Sequence, residues 1–440
     1  MADNNILESD SGQTLIIGAL VMTVLLLCTG MAIDVGLLYV TKAKLQAAVD
    51  SGCLKAVTNL SQGQTTAATM GTDMFDANFG SNPPTPSVTF PIDSHGNQEV
   101  QVTATAYVAT LFMRQGSVPV SATAVATRGK LIMSMVLDRS GSMQTDGGGA
   151  ALQSAVPTLV GMLNNTLDEV ALISFSENST IDFPIGYNFI TPIDNAVSAM
   201  TFTGGTFGTG AGTQAILSTS IGAPMSLADL QNNSVTITPG QNVSKVLLYF
   251  TDGLMNTVQD KFHCDGRTSN TLTLINYGGF DSGSEVDIFD PTSPTTVWDT
   301  YTGGSGGFKY DTAGDICKNA SGGIVTTFLS QQTGLQTALN RANVTAEAQY
   351  RAIQTAIAMR TESPTPTAIY TIGLGSSVSP ATQAFLAQLA NDPAYPATYI
   401  SGQAAGEFFY VPDCPSQTCT TSLNTVFETI AASVLLRLTD

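Results

Sequence analysis

The chain has 440 residues, 43% of them apolar, enough for two or three folded units and a sizeable buried core. Charged residues make up only 11%, against an average of about 25%, and the deficit in Lys and Arg leaves a formal charge of -18. Such a surface repels phosphate backbones, which argues against nucleic acid as a partner.

Residues 1–13 read as a polar stub. From Thr14 to Ile33 the chain is uncharged over twenty residues, long enough to cross a hydrocarbon core of about 30 Å as a helix. A cleaved secretory signal has a basic start and a shorter apolar core. Here the basic start is missing and the apolar character continues past Asp34 through Val35 to Val40. The reading is a retained transmembrane anchor over 14–40, with Tyr39 and Asp34 at the water interface and Lys42 and Lys44 just beyond.

A small helix-on-sheet module follows over 41–128. Leu45, Ala48, Val49, Gly52, Ala56 and Leu60 recur at helical spacing and form a core-packing face. Pro83, Pro84 and Pro86 mark a linker. Ser87–Phe90, Glu99–Tyr107 and Val118–Ala126 then alternate with period two, as half-buried antiparallel strands do, with a turn at Asp93–Asn97.

From 129 to 440 the pattern becomes α/β. Continuous apolar runs at Leu131–Leu137, Val170–Phe175, Lys245–Phe250 and Ala368–Gly373 read as strands buried on both faces. Helical segments at 150–164, 212–220, 335–360 and 379–390 alternate with them, which gives a doubly wound, Rossmann-like sheet. Residues 256–330 show little periodicity, and a structureless stretch of that length calls for a function or a brace. Cys264 with Cys317, and Cys414 with Cys419, are candidate local disulfides in an oxidising compartment.

The first buried strand ends in Asp138-Arg139-Ser140-Gly141-Ser142, one carboxylate and two hydroxyls around a turn. Gly205-Thr206 offers another hydroxyl and Thr251-Asp252-Gly253 a second carboxylate, each at a loop on one edge of the sheet. Ligand sites of doubly wound folds lie at the carboxyl ends of strands, and hard oxygens suit Mg²⁺, with Mn²⁺ or Ca²⁺ as alternatives. Asp138, Ser140, Ser142, Thr206 and Asp252 are therefore the expected metal ligands. In order and strand context they resemble the metal-ion-dependent adhesion site of von Willebrand factor type A domains. The resemblance covers roughly 130–437, with 256–330 as an insertion. It implies an ion with one open position for a carboxylate supplied by a protein partner, a pilus or envelope protein or a host surface ligand.

Gly12-Gln13-Thr14-Leu15, Ala32-Ile33-Asp34-Val35-Gly36 and Leu45-Gln46-Ala47-Ala48-Val49-Asp50 resemble a second family, the TadE/TadG-like proteins of Flp (tight adherence) pilus assembly. That likeness covers about 12–57 and implies a bacterial membrane protein of a pilus machine. In prepilins of that system a glutamate follows the cut glycine by five positions; counted from Gly12, that position is Ile17 here. The distribution of Lys42, Lys44 and Lys55 would put the body in the cytoplasm by the positive-inside rule. The cysteine pairs and the Ser/Thr/Asn-rich composition place it outside, in the periplasm or at the cell surface, which is the expectation. No enzyme is expected: His95 and His263 lie in no catalytic motif, and there is no P-loop or dinucleotide fingerprint. Two roles remain open, a metal-dependent adhesin and a scaffold subunit in which the metal mainly braces the fold.

Overall fold

The computed structural model describes residues 11–112, 116–145, 148–175, 179–202, 222–253, 327–338, 340–376, 378–412, 414 and 418–439, plus short strands at 205–207, 214–216 and between 257 and 318. Two compact units emerge, Met1–Arg128 and Gly129–Leu438.

The first unit is built on one 48-residue helix, α1 (Ser11–Thr58). Its N-terminal half shows apolar side chains to the surroundings, Leu15, Leu20 and Leu26 among them. That half is long and apolar enough to cross a membrane. Its second half turns Leu45, Ala48, Val49 and Ala56 inward, as the helical spacing predicts. A turn of 3₁₀ helix (Leu60–Gln62) leads into α2 (Gln64–Phe79), a helix that the sequence reading does not separate from the linker. Its buried stripe of Ala67, Gly71, Phe75 and Phe79 steps by four residues, but small and polar residues dilute the signal. The strands β1 (Ser87–Thr89), β2 (Gln98–Ala109) and β3 (Ser117–Arg128) form an antiparallel sheet in that order. Val100, Val102, Ala104 and Ala106 point inward at every second position.

Two glycines let α1 and α2 meet backbone to backbone. A Cβ on Gly52 would lie 2.8 Å from the Gly71 carbonyl oxygen, and one on Gly71 would lie 2.8 Å from the Ala56 Cβ. Asp34, expected as a charge facing water at the interface, is instead shielded by the chain. It is fully buried, and its carboxylate accepts the backbone N–H groups of Leu111 (2.9 Å) and Phe112 (2.8 Å) at the tip of the β2–β3 hairpin.

The second unit is a six-stranded sheet in the order β20-β19-β9-β4-β5-β6. Its strands are β4 (Lys130–Asp138), β5 (Glu169–Phe175), β6 (Ser179–Gly186), β9 (Val243–Thr251), β19 (Thr367–Leu374) and β20 (Phe408–Val411). All neighbours run parallel except β5 and β6. One face packs Leu131, Met133, Met135 and Leu137 against α4 (Gly148–Gly161), α5 (Ile190–Ala199) and α9 (Thr418–Thr439). The other packs Val136, Leu247 and Ile369 against α6 (Gly222–Ser234), α7 (Arg341–Arg360) and α8 (Pro380–Ala390). Helices on both faces explain why the strands read as unbroken apolar runs. A short α3 (Gly141–Thr145) follows β4.

Two expectations are revised. The helix expected over 212–220 is replaced, where described, by a hairpin of β7 (Gly205–Phe207) and β8 (Gln214–Ile216). The helix expected from 335 begins only at Arg341, after β17 (Thr327–Leu329) and β18 (Gln336–Ala338) form a hairpin. The 256–330 stretch, whose sequence shows little periodicity, contains short strands. It holds an antiparallel sheet of β10 (Thr257–Asp260), β12 (Leu272–Ile275), β13 (Val286–Phe289), β14 (Trp298–Tyr301) and β15 (Phe308–Tyr310). Strands of three or four residues are too short to show a period.

In the same stretch β11 (His263–Cys264) pairs with β16 (Cys317–Lys318), and Cys264 and Cys317 are direct register partners. The side chains of both, and of His263, lie outside the described residues. Cys414 and Cys419 form the expected disulfide. Replacing Gly71 with Leu should lower the unfolding free energy by about 1–3 kcal/mol, since the crossing has no room for the side chain; thermal denaturation of the detergent-solubilised chain reads this out.

Candidate metal centre

Strands β4 and β9 are neighbours, with Leu137 opposite Phe250, so Asp138 and Thr251 end side by side at the carboxyl edge of the sheet. Asp138 is fully buried. Its Oδ1 accepts the Ser140 backbone N–H (2.8 Å) and its Oδ2 the Thr251 hydroxyl (2.8 Å). Beyond it the Ser140 and Ser142 hydroxyls stand 3.0 Å apart, and the Ser142 hydroxyl donates to Asp252 Oδ1 at 2.9 Å. Asp252 is buried as well, at 2% exposure.

Four of the five residues expected from the sequence thus join one network: Asp138, Ser140, Ser142 and Asp252. Thr206 lies on β7, opposite Ala215, and its side chain is outside the described residues. Sequence reasoning passed over Thr251, although the Thr-Asp-Gly triplet that contains it was in view. The Thr251 hydroxyl holds the Asp138 oxygen and receives the Gly253 N–H at 3.1 Å, which shapes the turn that presents Asp252.

Burial dominates the electrostatics. It pushes the Asp138 carboxyl up to about 6, against the lowering effect of Ser140 and Thr251, which donate to the charged form. Beneath, burial and then the Asp138 charge raise the Tyr249 phenol well above its usual range, so it is neutral. Further out, burial also raises Asp182, partly offset by Ser174 and Arg139.

These residues fit a hard divalent cation. Two buried carboxylates and the Ser140 and Ser142 hydroxyls supply only oxygen donors, and the raised Asp138 carboxyl is the mark of a charge that its surroundings under-compensate. Among the described residues no group of three or more His, Cys, Asp and Glu side chains gathers. Hydroxyls and water would therefore complete the shell, which is the pattern Mg²⁺ prefers.

A mostly parallel α/β sheet with an oxygen-rich cluster at its carboxyl edge is the class of protein that fold and site define. Residues 133–265 match the family model of the von Willebrand factor type A domain, and residues 12–59 match that of the putative Flp pilus-assembly TadE/G-like family. A search of curated proteins finds no match. Among solved structures, the PilB minor pilin from Streptococcus sanguinis aligns at 12% identity and TM-score 0.39, over 80% of this chain and 78% of that one. The pilus adhesin SpaC from Lactobacillus rhamnosus GG aligns at 11% and 0.38, over 82% of this chain and 36% of that one. The vWF domain of the pili tip protein Mfa5 from Porphyromonas gingivalis aligns at 14% and 0.34, over 70% and 97%. Identities and scores this low say nothing of function.

Two outcomes follow from the buried carboxylate. Asp138 holds its proton more tightly folded, near 6, than unfolded, near 3.9. With chelator present it therefore costs stability as pH rises through that window, on the order of 2–3 kcal/mol by pH 7. Asp138→Asn should abolish this loss in melting curves recorded across the window. Thr251→Val, which strips a hydroxyl from a buried carboxylate, should destabilise by about 1–3 kcal/mol in denaturant titrations at neutral pH.

Proposed function

We propose that this chain is a membrane-anchored, non-enzymatic binding protein of the bacterial envelope, a Flp-type pilus assembly or pilus-associated component. Its A-type domain captures a carboxylate on a protein partner through Mg²⁺ held by Asp138, Ser140, Ser142, Thr206 and Asp252. The observation that carries this reading is the bond from Ser142 to Asp252. It links the β4 loop to the β9 loop and gathers two carboxylates and their hydroxyls at one rim. The family match over 12–59 supports the pilus setting, and the exposed apolar half of α1 supports the anchor. The anchor is single-pass, with the body outside the cytoplasm, where the Cys414–Cys419 disulfide is stable.

Specificity falls to the segment that follows Gly253, which contains the five-stranded sheet of β10, β12, β13, β14 and β15. In a scaffold role the same site would brace the fold and leave partner binding indifferent to metal. Affinity capture from envelope extract separates the two. A partner should be retained with Mg²⁺ and lost with chelator, and Asp252→Asn should lose it too, with an unchanged melting point in chelator. Equal capture with and without chelator would contradict the proposal. Retention should also weaken as pH falls below about 6, because protons then compete for Asp138.

A further inference from the structure

We propose that the tip of the β2–β3 hairpin is a second membrane contact, in which Leu111 and Phe112 enter the interfacial layer of the bilayer that holds α1. The inference rests on α1 being a membrane anchor. The hairpin runs along α1: Cys53 donates to the Val100 carbonyl, Gln46 to the Thr123 carbonyl and Lys42 to the Ser121 carbonyl. At the far end the Asp34 carboxylate takes the N–H groups of Leu111 and Phe112, and the Phe112 ring lies against Gly30, where no Cβ would fit. Leu111 and Phe112 are therefore held at the height of Gly30–Asp34.

That height falls within the apolar surface of α1, where Met31, Ile33 and Val35 are 54%, 47% and 53% exposed. Leu111 is 73% and Phe112 49% exposed at the same level, so the tip's apolar side chains continue the lipid-facing surface of the helix. Twenty helical residues from Thr14 span about 30 Å, which sets Gly30–Asp34 at the edge of the hydrocarbon core. Tyr39 and Tyr107 are 75% and 74% exposed, and Tyr107 shares a cavity wall with Thr41 of α1. Exposed tyrosines just above that level are what a membrane interface favours. Asp34 can sit this close to lipid because each of its oxygens accepts an amide N–H. Asp34 is a positioning residue, and the bilayer is the occupant of the exposed tip.

The test uses the full chain in lipid vesicles, with Trp298→Phe to remove the one native tryptophan. Single tryptophans are then introduced by Leu111→Trp, by Leu27→Trp within α1 and by Ile92→Trp, a 67% exposed apolar residue outside the hairpin tip. Lipids brominated high on the acyl chain should quench the Leu111→Trp variant and shift its emission to shorter wavelength. Leu27→Trp should be quenched by bromines deeper in the chain, and Ile92→Trp only by aqueous acrylamide. Asp34→Ala should lower lipid quenching of the Leu111→Trp variant several-fold. Leu111→Trp open to acrylamide while Leu27→Trp stays quenched would overturn the proposal and leave the anchor intact. So would shielding from both quenchers, which would assign the tip to a protein neighbour. An unquenched Leu27→Trp would overturn the anchor and the proposal together.

Discussion

The carboxylate of Asp138 ends a central strand of a sheet covered on both faces, out of reach of bulk water. A charge in that position costs several kcal/mol unless dipoles or an opposite charge answer it. Hydrogen bonds from Ser140, Thr251 and the Asp252 backbone answer it in part, and burial still pushes the carboxyl up to about 6. The site is thus poised: the oxygens are gathered by the fold, and the remaining imbalance is what a divalent cation would relieve.

Strand register does the gathering. With Leu137 opposite Phe250, the β4 and β9 loops start at the same height, and one serine hydroxyl spans them. Asp34 in the first unit shows the contrasting solution. It too is fully buried, yet each of its oxygens accepts an amide from the hairpin tip, so it acts as a structural latch. The two buried aspartates differ in what surrounds them. Around Asp138 are further oxygens, which are cation donors; around Asp34 is a turn of backbone.

Much of this was legible in the residues. The runs at Leu131–Leu137 and Lys245–Phe250 gave parallel strands because burial on both faces erases alternation, and the Leu45–Leu60 spacing gave the packed face of α1. Asp-x-Ser-x-Ser at the end of a strand pointed to the cluster that Asp138, Ser140 and Ser142 form with Asp252. What stayed hidden depends on distant contacts or short range. Asp34 reads as a water-facing charge because its partners are backbone amides some 77 residues on. Thr251 was overlooked as a holder of Asp138 because its role follows from strand pairing. The helix expected over 212–220 gives way to strands of three residues, and the strands of the 257–318 segment are of similar length, below what periodicity resolves.

Soaking crystals of the purified protein in Mn²⁺ and recording anomalous scattering tests the central claim most directly. A peak within about 2.0–2.4 Å of the Ser140 and Ser142 hydroxyls, with Asp138 and Asp252 beside it, is the predicted result. A map with the loops ordered as described and no anomalous density among these oxygens at saturating Mn²⁺ would contradict it.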